Sequence, residues 1–222
     1  VADDHPLFRD ALIHAIGNCV DGAEIVEADS LDSLQAVVDA NPDADLLLLD
    51  LNMPGVSGFS ALAYIRNNHE SLPTVIVSAN DDPGVIRRSI QHGASGFIPK
   101  SSPIAELEEG IKAVMDGEVW VPSGVDLQDE GLDNEEAGIA AAISTLTPQQ
   151  FRVLMMLGEG LLNKQIAYQL GVSEATIKAH VTAILRKMNV NNRTQAVLAV
   201  QQLRIGSPAI AEAPSGNVPA AE

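Results

Sequence analysis

Four short apolar runs, AEIVEA at 23–28, DLLLLD at 45–50, TVIVS at 74–78 and GFIP at 96–99, alternate with amphipathic stretches through the first half of the chain. That alternation is the pattern of an α/β unit, a parallel sheet with helices on both faces. It predicts helices at about 7–16, 31–40, 58–68, 83–91 and 103–116, with Ser30 capping the second and Ser102, ahead of Pro103, capping the last. The run of leucines at 46–49 is continuous, as a strand buried on both faces requires. The first strand reads as clipped: only Val1-Ala2 precede Asp3-Asp4, where a five-stranded sheet needs several more apolar residues.

Periodicity fades over 118–144, which gains acids and glycines and reads as a linker, with 137–143 a helical piece. Four short helices follow. Thr147-Pro148-Gln149-Gln150 is a capping box, Asn163 caps a second helix ending at Gly171, Ser173 caps a third over about 174–187, and Asn192 opens a fourth reaching Leu203. The tight Gly171-Val172 turn between helices predicts a helix-turn-helix. From Gly206 onward the chain is rich in Ala and Pro and reads as a disordered tail. The expected organisation is therefore 1–117, a linker 118–144, a second domain 145–205, and a tail 206–222.

Charge divides the chain more sharply than its overall −17 suggests: residues 1–120 carry −14, 121–144 carry −6, and 145–205 carry +5. A small basic module thus follows an acidic one, an arrangement in which the acidic module and linker are expected to compete with nucleic acid for the basic face. A single cysteine, Cys19, excludes an internal disulfide framework and any CxxC site and suits a reducing, cytoplasmic setting. No apolar run approaches the ~20 residues of a membrane span, and residues 1–30 read as folded sequence rather than a signal peptide.

The carboxylates matter by position. In a sheet of order 2-1-3-4-5, Asp3 and Asp4 end the first strand and Asp50 the third, so all three converge on the crevice where the order reverses. Clustered acids sharing a cation, with few protein ligands, suit Mg²⁺. Ser78 and Lys100 end the next strands and reach the same rim. A carboxylate nucleophile, Mg²⁺, a lysine and a hydroxyl make a phosphoryl-accepting site.

Asp3-Asp4-His5-Pro6, Asp50-Leu51-Asn52-Met53-Pro54-Gly55, Ser78-Ala79 and Gly96-Phe97-Ile98-Pro99-Lys100 resemble the receiver domain of two-component response regulators, in register across 1–117. The resemblance implies a flavodoxin-like five-stranded parallel (βα)5 domain. It makes Asp50 the phosphoacceptor, with Asp4, Asp50 and the Asn52 carbonyl holding Mg²⁺ and Asp3 supporting. Ser78 would bond a phosphoryl oxygen, Lys100 would pair with the phosphoryl group, and Phe97 would be an aromatic switch. Asp50-Leu51-Asn52 also resembles the nucleophile loop of haloacid-dehalogenase-type phosphatases, but that family needs an acid where Asn52 stands and places its nucleophile after the first strand, so a long-lived phosphoaspartate is the better reading.

On the third helix of the basic module, Ile177, Val181, Ile184, Leu185 and Met188 form an apolar stripe, while Ala175, Ala179, Thr182, Ala183 and Arg186 face away, with Lys178 and Lys187 on the flanks. A small face with basic edges can enter a major groove. His180 flanks the stripe and reads as structural. Leu146 to Gln150, Asn163 to Ala167, Val172 to His180 and Asn192 to Ala196 resemble the LuxR-type helix-turn-helix of the NarL/FixJ class, over about 146–203. This small all-α four-helix domain would place Lys178, Ala179 and Thr182 at base-facing positions. Asn163, Lys164, Ser173, Thr176 and Arg193 would lie near the DNA backbone, and the last helix would form a dimer contact. The partners implied are a sensor histidine kinase, double-stranded DNA and a second copy; the alternatives are a regulator that works without phosphorylation and a phosphatase.

Overall fold

The computed structural model describes residues 1–127 and 134–204. Three parallel strands, β1 (Leu47–Asp50), β2 (Thr74–Ser78) and β3 (Gly96–Pro99), form a sheet in the order β1-β2-β3. Side chains alternate between its faces, as strand geometry demands. Leu48, Val75, Val77 and Ile98 pack under α1 (Pro6–Cys19) and α5 (Ile104–Met115), with Leu12, Leu107 and Ile111. Leu49, Ile76 and Phe97 point the other way, into a core shared with α2 (Leu31–Ala40), α3 (Ser60–Asn68) and α4 (Pro83–Gln91).

The five-stranded expectation holds in topology and is shortened in its ladders. Ala2 makes single parallel bridges to Ala28 and to Leu49, so the positions run 28, 2, β1, β2, β3, the order 2-1-3-4-5. Over 23–28 the pairing comes down to the single bridge at Ala28. The bonds there are Ala28 N–H to Val1 O at 2.8 Å and Asp3 N–H to Ala28 O at 3.0 Å. At the far edge Trp120 bridges Gly96, and Phe97 N–H donates to Trp120 O at 2.9 Å.

Beyond the sheet come α6 (Asn134–Ser144), α7 (Pro148–Gly158), α8 (Asn163–Leu170), α9 (Glu174–Lys187) and α10 (Arg193–Gln202). The caps are largely those written in the sequence. Ser30 and Thr147 close capping boxes, while Ser173 and Asn192 accept from the N–H groups of Thr176 and Gln195. Gly171 ends α8 at φ +64°, a left-handed conformation that glycine adopts without a Cβ penalty. Two assignments change. Asn163 is the first helical residue and Leu162 occupies the cap position, where Gln165 Oε1 accepts the Leu162 N–H at 2.7 Å. Pro103 rather than Ser102 precedes the fifth helix and offers no side-chain cap bond.

Within the stretch read as a linker, α6 packs along α3, with Ile143 fully buried and Ile139 and Ala140 against the same core. That core runs without a break from Leu49 and Phe59 through Tyr64, stacked on Phe151 at 4.5 Å between ring centroids, to Leu154, Ile177, Ile184 and Val200. Residues 128–133 of the linker and the tail from 205 lie outside the described residues.

Candidate functional site

The first site sits where the strand ends meet. The Asp3 and Asp50 side chains are each only 1% exposed, and the Lys100 ammonium lies 2.6 Å from Asp3 Oδ2 and 2.8 Å from Asp50 Oδ2. Burial alone would lower the Lys100 pKa, but hydrogen bonds and attraction from these two carboxylates overcome it and raise it. Backbone donors hold the acids in place: Asn52 N–H to Asp50 Oδ1 at 3.1 Å, and His5 N–H to Asp3 Oδ1 at 2.8 Å. Pro6 at the first turn of α1 fixes the chain just after the Asp pair.

Asp4, partly exposed, has its Oδ1 buried without a hydrogen bond. Ligand atoms of Asp3, Asp4, His5 and Asp50 lie within 4.8 Å of one another, a donor set able to hold a divalent cation. Ser78 is buried at the end of the neighbouring strand; its Oγ accepts the Asn80 N–H at 3.2 Å, and its carbonyl accepts the Lys100 N–H at 2.7 Å. Phe97 is fully buried, packed inward from β3. The fold thus gathers Asp3, Asp4, Asp50 and Lys100, with Ser78 and Phe97 on the adjoining strands.

The second site is α9. Ile177, Ile184 and Met188 are buried with Val181 and Leu185 half-buried beside them, while Ala175, Lys178, Ala179, Thr182 and Arg186 are exposed as the wheel predicts; Ala183, expected outward, is half-buried, and Thr176 is also exposed. Lys178, 66% exposed, rests 3.1 Å from Glu174 one turn earlier. Thr182 donates its hydroxyl to Lys178 O at 3.0 Å, and the Ser173 and Thr176 hydroxyls lie 2.8 Å apart in the cap. Lys164 is exposed; Asn163 and Arg193 are half-buried and bonded to each other at 3.4 Å, and Arg193 also donates to Leu161 O.

Among the described residues, the outer side of α9 stays open. The sheet domain touches α6, α7 and the end of α10 instead. Phe59 N–H donates to Leu203 O at 2.9 Å, and Arg88 donates to Gln202 O at 3.0 Å. Arg152 pairs with Asp32 across the same seam.

A polar cluster there had no forecast from sequence. Glu136 of α6 accepts from Arg88 at 2.7 Å and lies 2.7 Å from His92 Nε2, whose side chain is 1% exposed. Burial pushes the Glu136 carboxyl up, but the His92 and Arg88 hydrogen bonds and charges more than offset it, leaving it below its ordinary value. The acids of 118–144 mark a linker in the sequence; the signal that a helix packs there is the Ile139–Ile143 spacing of one helical turn.

An acidic crevice with an inserted lysine, on a parallel α/β sheet carrying a helix-turn-helix module, defines the response-regulator class. Residues 1–112 match the response regulator receiver domain and residues 144–200 the luxR family of bacterial regulatory proteins. The chain belongs to this family, the NarL/FixJ class of DNA-binding response regulators, which are transcription regulators and not enzymes; the phosphatase alternative is thereby set aside.

The glycerol metabolism activator of Pseudomonas putida is 43% identical over 204 residues, covering 90% of this chain and 92% of its own length. The nitrate/nitrite response regulator protein NarP of Escherichia coli (strain K12) is 34% identical over 207 residues, covering 92% and 94%. RcsB from Salmonella enterica serovar Typhimurium, solved on promoter P1flhDC with the phosphomimetic BeF3-, shares the fold at 24% identity and a TM-score of 0.52, over 91% and 96% of the two chains. Among the described residues, no helix is long and apolar enough to cross a membrane.

Proposed function

We propose that Asp50 is phosphorylated by a sensor histidine kinase or a small phosphodonor, and that this controls dimerisation and sequence-specific binding to double-stranded DNA in the cytoplasm. The observation that carries the reading is Lys100 held between Asp3 and Asp50 at the sheet's crevice. An Asp50 carboxylate oxygen attacks phosphorus. The new O–P bond forms as the bond to the donor's histidine nitrogen or acyl oxygen breaks, and the leaving group keeps that electron pair. Lys100 then shifts its charge to the phosphoryl oxygens, and Ser78 Oγ donates to one of them.

The buried, unbonded Asp4 Oδ1 and its neighbouring carboxylates fit Mg²⁺, which Asp4, Asp50 and the Asn52 carbonyl would hold with Asp3 supporting; when bound it neutralises the gathering negative charge. Phe97 is the residue we assign to sense the movement of Ser78. In the second module we assign Lys178, Ala179 and Thr182 to base edges. Asn163, Lys164, Ser173, Thr176, Arg186 and Arg193 are assigned to the DNA backbone and α10 to the dimer contact, with the domains divided near 117 and 145. Intact-mass measurement after acetyl phosphate and Mg²⁺ tests this: one added phosphoryl group is expected on the native chain and none on Asp50→Asn. An unchanged native mass would favour a regulator that works without phosphorylation.

A further inference from the structure

We infer that His5 adds a nitrogen donor to the acidic pocket and so tilts its cation preference from Mg²⁺ towards borderline first-row ions such as Co²⁺ or Zn²⁺. The inference rests on reading the pocket as a metal site. His5 Nδ1 lies 2.8 Å from Asp4 Oδ1, 3.4 Å from Asp3 Oδ1 and 4.0 Å from Asp50 Oδ2, facing all three acids at once. The oxygen nearest to it, Asp4 Oδ1, is buried and accepts no hydrogen bond.

The backbone prepares this placement. His5 sits in the cap position of α1, extended at φ −96° and ψ 103° as a residue before proline prefers, and its side chain makes no cap bond. Its ring is 65% exposed, so it can turn towards a cation without disturbing a core. Oxygen-only sites suit Mg²⁺, whereas imidazole favours the later divalent ions, whose affinity for a mixed nitrogen and oxygen set rises along the series.

The test is calorimetric titration of the full chain with Co²⁺ and separately with Mg²⁺, before and after His5→Ala. The ratio of the two dissociation constants is expected to move at least about fivefold against Co²⁺. An equal change for both ions overturns the inference. Failure of Mg²⁺ to bind the native chain instead overturns the metal reading of the pocket, and with it this inference. In the unsubstituted protein, Co²⁺ should also shift or broaden one histidine imidazole resonance in the NMR spectrum. Binding of Co²⁺ with every histidine resonance unmoved rejects His5 as a ligand whether or not the variant folds.

Discussion

The acidic pocket and the exposed face of α9 are built in opposite ways. The pocket takes Asp3, Asp50 and Lys100 from widely separated points of the chain, buries the two carboxylates, and sets a single ammonium between them. The α9 face draws its outward residues from one helix, leaves them in water, and pairs the Lys178 ammonium with Glu174 one turn earlier. A buried set that holds more negative than positive charge responds to a new charge, because one added phosphoryl group upsets its balance in a poorly solvated place. An exposed set acts only when a surface of opposite charge arrives. The contrast assigns sensing to the first and contact to the second, and substitutions can test each half.

Asp50→Asn has the largest expected effect, complete loss of phosphoryl uptake from acetyl phosphate by intact mass, with DNA affinity of the unphosphorylated chain unchanged at equal salt. A fall in that affinity would blur the division. Phe151→Ala strikes the seam between the two regions, where the ring stacks on Tyr64; it should cost about 3–5 kcal/mol of stability in denaturant unfolding. Lys178→Ala should weaken operator binding by about 1–3 kcal/mol and relax selectivity at one base of each half-site, with the melting temperature unmoved. Uniform weakening across singly substituted operators would make Lys178 a backbone contact.

Ser173→Ala removes the cap of α9 and should cost about 1 kcal/mol, seen in thermal melts. The smallest effect concerns Glu136. A carboxyl lowered on folding contributes stability above its ordinary range, and that contribution fades as pH falls through the lowered value. The native chain should therefore outlast Glu136→Gln near neutral pH in parallel melts, with the gap closing towards acid.

Legibility followed the same contrast between near and far. Ser30, Thr147, Ser173 and Asn192 announce their helices because a cap bonds only to residues a turn away. The pocket was legible because strand ends in a parallel sheet must meet, which carries Asp3, Asp50 and Lys100 together once the strands are placed. Glu136 was not legible, since its partners Arg88 and His92 come from outside its own helix and nothing in the local sequence distinguishes it from the other acids of the linker. At 23–28 the apolar alternation marks an extended segment but not its pairing, which comes down to the bridge at Ala28.

The unbroken apolar core from Leu49 to Val200 has a consequence for folding. Two modules with separate cores would melt in two steps, each at its own temperature. Here the aromatic stack of Tyr64 on Phe151 and the burial of Ile143 make the stability of each module depend on the other. Heat should therefore unfold the chain in one cooperative transition, with calorimetric and van't Hoff enthalpies in agreement. Any state in which the modules separate must expose this shared surface to water, so its population is set by packing at the seam as well as by charge at the pocket.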